Sequence, residues 1–598
     1  MKAVRLATIR SATLAVGVAG LAVFAAASTS PQSQDPPHEA GRTENPAPIV
    51  SGASPLRIAP SPAGHGPPIV LYTDLASGPT HGGEHDKGTY LSIFGRNFGT
   101  AGLGTAVKVY IGSAEVDSYR YLGPSMGRPD IQQITVQVGA LGGAAAGTPL
   151  PVKVVVDGAA SNADQTFTIN PGRILFIDNV TGDDRTARPG DITRPYRHVQ
   201  TPSLADGAYS VMRAGDIIVM RGTGRPWTDI GNGGYFVKFY GTDGSAPKGR
   251  SGSGPLTIMA YPTEEVFIDM AIGPGVRGGI SGVDTQNYPG GRWITIADIH
   301  VESGGNSGVI NQQIGGDHWR IVNNELTAKT ASAGALAGGI TGNGPHSYWV
   351  GNHIHDIAGG SRQVNHGIYI DGDGSYEVAY NLIESVTGGS GFQVYVNGTN
   401  GSDSANNIDL HHNMIHDISK HAINIADGAT NNIRIWNNVV YNVRYAGLRF
   451  NTVTLANCRI YNNTFYNTNT SGSHNYGLIT NDWNLKSNAI DLRNNIFWPA
   501  ANTAYWGGSV GLDGKVGIIS NNLYRGAAEQ PAGDDHPVTG DPAFVAAGTD
   551  FHLTAGSPAV DAGSAAVSDL VTTDYDAATT RPQPAGGPYD IGAYEFLR

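Results

Sequence analysis

The chain has 598 residues, 83 of them Gly, with only 15% charged residues and a formal net charge of −12. A chain of this length needs several modules, and a Gly-rich, charge-poor composition excludes helical bundles and coiled coils. Its acidity argues against nucleic acid as a partner, and an acidic ligand would need a local basic site or a bound cation.

Residues 1–27 read as a secretory leader. Lys2, Arg5 and Arg10 precede an apolar run from Leu14 to Ala27 that closes on Ala25, Ala26 and Ala27, the order of a cleavable signal. The run is short for a membrane span and no later stretch is apolar enough for one. Export, to the extracellular space or periplasm, is therefore expected. Loss of the leader's three basic residues makes the remaining chain still more acidic. Cys458 is the single cysteine, so no intramolecular disulfide can form, and an exported protein without one needs a large self-sufficient core. Residues 28–66, rich in Pro, Ser, Gly and Ala without periodicity, read as a disordered linker.

Residues 67–171 predict a separate β-sandwich with strands at Ile69–Tyr72, Tyr90–Phe94, Ala106–Ile111, Gln133–Val138, Pro151–Val156 and Gln165–Ile169, joined by Gly-rich turns. The strings Leu91–Gly99 (LSIFGRNFG), Val107–Gly112, Ile134–Gly139 and Val152–Gly158 resemble the IPT/TIG immunoglobulin-like family. That resemblance implies a spacer or a binding accessory.

Residues 172–533 predict a right-handed parallel β-helix. Within 293–524 an Asn, usually doubled, precedes each alternating apolar run. The Asn before the run stands at 324, 352, 381, 413, 438, 463, 495 and 522. Returns of 25 to 32 residues mark a solenoid, and period-two alternation, as in Val439, Tyr441 and Val443, makes its repeat a set of short strands. Asn at equivalent turns can hydrogen-bond along the stack. The stretch resembles the pectin-lyase-like β-helix superfamily. Its opening, Ile174–Thr201, resembles that of secreted bacterial β-helix proteins including polysaccharide lyases, through Asp178, Gly182, Asp183, Asp184, Gly190, Pro195 and Tyr196. Asp183 and Asp184 suit either calcium or turn capping. Residues 534–598 resemble a segment that follows bacterial β-helices and are expected to cap the last coil edge.

Candidate chemistry follows from aligning the strand after each turn. Ile340, Ile368, Phe392, Ile423, Leu448 and Leu478 form an inward column. The next residues, Thr341, Tyr369, Gln393, Asn424, Arg449 and Ile479, then face outward on an exposed sheet, followed two positions on by Asn343, Asp371, Tyr395, Ala426, Asn451 and Asn481. His366 and His421, with Lys420 before the latter, stand at the strand entrances. Aromatic, imidazole, guanidinium and carboxylate groups on one face fit a polysaccharide-binding groove. Asn343, Asp371, Gln393, Tyr395, Asn424 and Asn451 are the expected substrate contacts. For a lyase acting on an acidic, uronate-containing glycan by β-elimination, Lys420, His421 or Tyr369 is the candidate base, Arg449 the charge neutraliser and His366 a further catalytic candidate. Asp371 and Asp373 are candidate ligands for calcium, the one cofactor these residues suggest. The runs His353–His355 and His411–His416 have zinc-ligand chemistry, but packing or ladder roles are favoured for them. The alternatives are a glycoside hydrolase on the same scaffold and a non-catalytic carbohydrate-binding or adhesion protein. Within 293–524 the polygalacturonase and pectate lyase signatures (paired Asp, Gly-His-Gly, Arg-Ile-Lys, Arg-x-Pro-x-x-Arg) are absent. A monomer is expected.

Overall fold

The computed structural model describes residues 66–239, 254–271, 273, 275–282, 291–304, 308–312, 316–329, 338–359, 365–396, 404–426, 428–451, 454–472, 479–481, 490–500, 505–507, 517–526, 533–577 and 579–597. The expected leader and all but the last residue of the expected linker lie outside the described residues. Among the described residues no helix is long and apolar enough to cross a membrane.

The chain is nearly all β. Two sheets come first. One runs in the order Ile69–Thr73, Tyr90–Arg96, Gln132–Gln137, Ser118–Pro124; the other sets Thr166–Ile169 and Pro149–Val156 beside Val107–Ile111. Ser118–Pro124 escaped the sequence reading. It is an edge strand, half-buried or exposed throughout, so it lacks the in-out alternation that betrays a strand. The inner faces meet through Leu91, Ile93, Val109, Ile134, Val136, Val152, Val154 and Phe167, and this core continues into Ile174, Phe176, Ile217 and Val219 of the next module. The alternate residues Leu175, Ile177, Ile218 and Met220 belong to a different core. Ile174–Ile177 and Ile217–Met220 are therefore buried on both faces, which is why they read as unbroken apolar runs.

That second core lies inside a right-handed parallel β-helix. Each coil visits three sheets in turn. Sheet I runs from Ile174–Ile177 to Ile518–Ser520, sheet II from Phe267–Met270 through Leu523–Tyr524 to Val538–Thr539, and sheet III from Tyr235–Phe239 to Trp506–Gly507. Strands stack in parallel and in register, as Ile340, Ile368, Phe392, Ile423 and Leu448 do on sheet III. Cys458 faces the core, where burial pushes its thiol up to about 12, so it is a small apolar filler.

The doubled Asn does two jobs between sheets I and II. The second Asn of each pair builds a buried ladder. Asn413 donates from its backbone N and from Nδ2 to Asn438 Oδ1, both at 3.0 Å, and Asn438 does the same to Asn463 Oδ1 at 3.0 and 2.9 Å. The chain of bonds runs from Asn324 to Asn522 and ends on the Asp534 carboxylate. The first Asn takes positive φ, from 50° at Asn437 to 56° at Asn521, a conformation Asn tolerates. Its side chain then points outward and holds the chain's last segment. Asn437 Nδ2 donates to Thr573 O, Asn462 Nδ2 to Asp590 O and Gly592 O, and Asn521 Nδ2 to Ala562 O. Residues 534–597 accordingly do more than close the last coil. Val538–Thr539 extends sheet II past Leu523–Tyr524, while Phe551, Tyr575 and Tyr594 pack on Leu382, Met414, Val439 and Tyr441 along the outside of that sheet.

Asn438→Ala is expected to cost about 3 kcal/mol, because Asn413 loses the acceptor of two buried donors and the carbonyls of Leu410 and Trp436 lose one. Denaturant unfolding measures it; a loss below 1 kcal/mol would show that the ladder carries little stability.

The sandwich also brings a buried acid pair against the helix. Asp74 Oδ1 accepts from the backbone N of Leu75 and Ser92, while Asp298 Oδ1 accepts from Asn323 Nδ2. Burial and the facing Asp298 carboxyl push Asp74 well up, and burial pushes Asp298 up to about 6. One proton is shared between them. A carboxyl raised above its unfolded value stabilises the fold fully below about pH 4, and this contribution is lost as pH rises through about 6. Asp298→Asn is therefore expected to weaken that pH dependence, leaving the part due to the burial of Asp74, and to gain on the order of 1–3 kcal/mol at pH 8. Wild-type and variant unfolding curves at pH 4.5 and 8 check this.

Candidate active site

The outer side of sheet III carries the expected residues. Register sets Thr341, Tyr369, Gln393, Asn424 and Arg449 in one column and Tyr395, Ala426 and Asn451 in the next, with Asn343 and Asp371 just beyond the ends of their own strands. The last coil corrects the alignment. Leu448 pairs with Ile479, not Leu478, so Thr480 follows Arg449 and Asn481 follows Phe450. Leu478 itself lies outside the described residues, as does the Asp373 side chain.

A second correction concerns exposure. Gln393 retains 5% of its exposure and Arg449 9%, and Asn343, Tyr395, Asn424 and Asn451 are equally covered, while Thr341, Tyr369 and Asp371 are half-buried. Strands about 4.8 Å apart place successive side chains in contact, so a column of long residues covers itself. Asn424 Nδ2 donates to Gln393 Oε1 at 2.8 Å and Tyr369 OH donates to Asp371 Oδ1 at 3.3 Å.

His366 and His421 stand at the entrances of strands two coils apart and are wired alike. Each accepts, at Nδ1, the backbone N–H at the next coil's strand entrance: Ser390 N at 2.9 Å for His366 and Ala446 N at 3.2 Å for His421. Burial, then the Lys420 ammonium, push His366 down to about 3; burial, then Arg449, Lys420 and His366, hold His421 well below the usual imidazole range. Both rings are neutral, and with Nδ1 used as acceptor the single proton sits on Nε2. Neither has a lone pair left for proton abstraction, which removes both from the role of resting base. Lys420 and Arg449 meanwhile lie close enough to act on the same ring.

Several buried polar atoms here have no hydrogen-bond partner: Thr341 Oγ1, Asn343 Oδ1, His366 Nε2, Ser390 Oγ and Asn424 Oδ1. Buried polar atoms are seldom left so, and these five on adjacent coils of one face are available to water or to a polar ligand. Sequence reasoning does not single out Ser390, since nothing in the local pattern separates it from a turn serine.

No family model matches the chain, and no curated protein matches it by sequence. Among solved structures it is similar to an alginate lyase from Paenibacillus sp. str. FPU-7, with 16% identity over 57% of this chain and 96% of that one and a TM-score of 0.34. It is similar to the GH136 lacto-N-biosidase from Eubacterium ramulus, with 11% identity, 61% and 66% covered and a TM-score of 0.36. It is also similar to the catalytic unit of a GH87 alpha-1,3-glucanase from Streptomyces thermodiastaticus strain HF3-3, with 12% identity, 73% and 83% covered and a TM-score of 0.28.

Asp183, Asp184, His411 and His412 make contacts within the fold. Asp183 Oδ1 accepts from Arg185 N, and Asp184 accepts from Arg197 N and pairs with His198 Nδ1 at 2.6 Å, so both cap turns. His411 stacks on Trp436 with ring centroids 4.2 Å apart, and His412 Nε2 meets Asp574 O.

Proposed function

We propose that this protein is an exported lyase that cleaves a uronate-containing polysaccharide by β-elimination on the outer face of sheet III. The observation that supports it is the convergence of Lys420 and Arg449 on neutral His421, beside the unpartnered polar atoms, in a chain of net charge −12. Two local cations in an acidic protein suit an anionic ligand, and hydroxyl-rich sugar suits the polar atoms.

In this reading Arg449 neutralises the uronate carboxylate, which acidifies the C5 proton. Tyr369, or Lys420 once it has shed its own proton, takes that proton, the C5–H electrons form the C4=C5 double bond, and the C4–O bond breaks with its oxygen taking a proton from the group that served as base or from water. Tyr395 supplies a ring for stacking; Asn343, Gln393, Asn424 and Asn451 read hydroxyls. Asp371 would be a ligand for calcium, whose charge would aid binding of an anionic sugar. The two outward columns carry one carboxylate among the described residues, Asp371, whereas a hydrolase needs two that flank the bond. That ranks the lyase ahead of a hydrolase.

The test is ultraviolet absorbance of the unsaturated product with a panel of uronate polysaccharides, with calcium and with chelator. A rising trace is expected. New reducing ends without absorbance would move the reading to a hydrolase, and neither signal would leave a binding protein.

A further inference from the structure

The corner that leads from sheet III into sheet I repeats one backbone conformation. Strand register stacks Trp293, His318, His346 and Ser375 on successive coils, with Asn407, Asn432 and Asn457 following them in the same column. All of these residues take positive φ. The three Asn, at 52°, 59° and 51°, suit the left-handed region. Trp293, His318 and His346, at 59°, 55° and 55°, are bulky side chains for which that region is strained. Strain kept at three consecutive positions, where later coils of the same scaffold place Asn, points to a use beyond folding.

The three rings form a stack. Trp293 and His318 lie face to face with centroids 3.7 Å apart, and His346 continues the stack 4.6 Å from His318. Ser375 comes next, and its side chain is too short to cover the far face of the His346 imidazole. His346 is accordingly exposed, whereas Trp293 and His318 are half-buried. Asn407 stands two strand spacings beyond His346, about 9–10 Å away, a gap that admits one more ring on the imidazole. Asn407 Oδ1 accepts from Asn432 Nδ2 at 2.8 Å, which leaves its own Nδ2 to donate across that gap.

We propose that the open face of His346, above Ser375, is a stacking subsite for one pyranose ring of a polysaccharide chain, an assignment that rests on the polysaccharide reading above. The C–H face of a sugar packs on an aromatic ring, and its hydroxyls can accept from an amide such as that of Asn407. The corner is continuous with the face of sheet III. Asn343, with its unpartnered Oδ1, stands three residues before His346, and Asp371 stands four before Ser375. Those lengths of chain span at most about 11 and 14 Å. The subsite therefore carries the sheet III face round the corner towards sheet I, and it holds a sugar away from the groups assigned to proton transfer.

The experiment follows the full chain by retardation in native gels containing alginate, polygalacturonate or hyaluronan, beside denaturant midpoints. Retardation of the wild type by at least one polymer is expected. His346→Asn, which suits positive φ, is expected to raise the apparent Kd about fivefold or more without lowering the midpoint. Ser375→Tyr fills the gap and has the same effect on binding, while His346→Phe keeps it. Where the unsaturated product appears, His346→Asn raises KM and leaves kcat within about twofold. Binding that is weakened by these variants, with no product absorbance, upholds the subsite and counts against the lyase alone. Product absorbance with KM and retardation unchanged overturns the subsite alone. A lower midpoint with unchanged binding in His346→Asn makes the stack purely structural, and a wild-type chain retarded by none of the three polymers also overturns the subsite.

Discussion

Arg128→Ala is expected to destabilise the protein by about 3–5 kcal/mol, the cost of leaving a buried charge without its partner. Arg128 is completely enclosed where three parts of the chain meet. From the sandwich, Nε and Nη2 donate to the two oxygens of Asp130, each at 2.7 Å. Nη1 crosses to the β-helix and donates to Tyr380 O at 2.9 Å and His412 O at 3.3 Å, and Nη2 reaches Tyr575 OH in the C-terminal segment at 2.9 Å. Burial alone would raise the Asp130 carboxyl, yet the Arg128 guanidinium holds it below the usual carboxylate range. Alanine leaves Asp130 with Arg96 as its remaining buried cation, strands two carbonyls and opens a cavity. The paired replacement Arg128→Met with Asp130→Leu removes both charges and is expected to recover part of the loss. Denaturant midpoints of the three proteins, followed with limited proteolysis because several modules are involved, measure the effect. A loss under 1 kcal/mol for Arg128→Ala would mean that this junction is not held by its charges.

The largest effect on activity is expected at Lys420 and Arg449. If Lys420 is the base, Lys420→Ala lowers kcat by about 10²–10⁴-fold, while Tyr369→Phe costs less; the reverse order assigns the base to Tyr369. Arg449→Ala is expected to lower kcat/KM by about 10²–10³-fold, since the charge it neutralises develops as the C5 proton leaves. His366→Gln is expected to act mainly through the fold, because its Nδ1 secures the Ser390 backbone N–H. Product absorbance on a substrate found by the polysaccharide panel is the measurement. If all three groove variants stay within threefold of wild type, this face is not where the chemistry happens.

Much of the architecture was legible in the order of residues alone. The returning Asn, the period-two apolar runs and the Gly-rich turns dictate a solenoid of strands, because each coil must bury the same inward side chains and satisfy the same turn polar groups. The candidate face was legible too, since strand alternation sends Tyr369, Gln393, Asn424 and Arg449 to one side once Ile368, Phe392, Ile423 and Leu448 point in. What the residues could not decide depends on which coils stand beside which, and on what lies over them. Asn437, Asn462 and Asn521, each the first Asn of its pair, looked like turn residues and proved to hold the C-terminal segment, a contact between positions as far apart as 136 residues. His421, a candidate base, and His366, a further catalytic candidate, each accept a backbone N–H because the neighbouring coil supplies the donor. Asp74 faces Asp298, and Glu384 meets both His353 and His416, only because separate turns of the chain stack at strand spacing. Local pattern sets the fold and its inward and outward faces. Burial and cross-coil neighbours set protonation, hydrogen bonding and the chemistry.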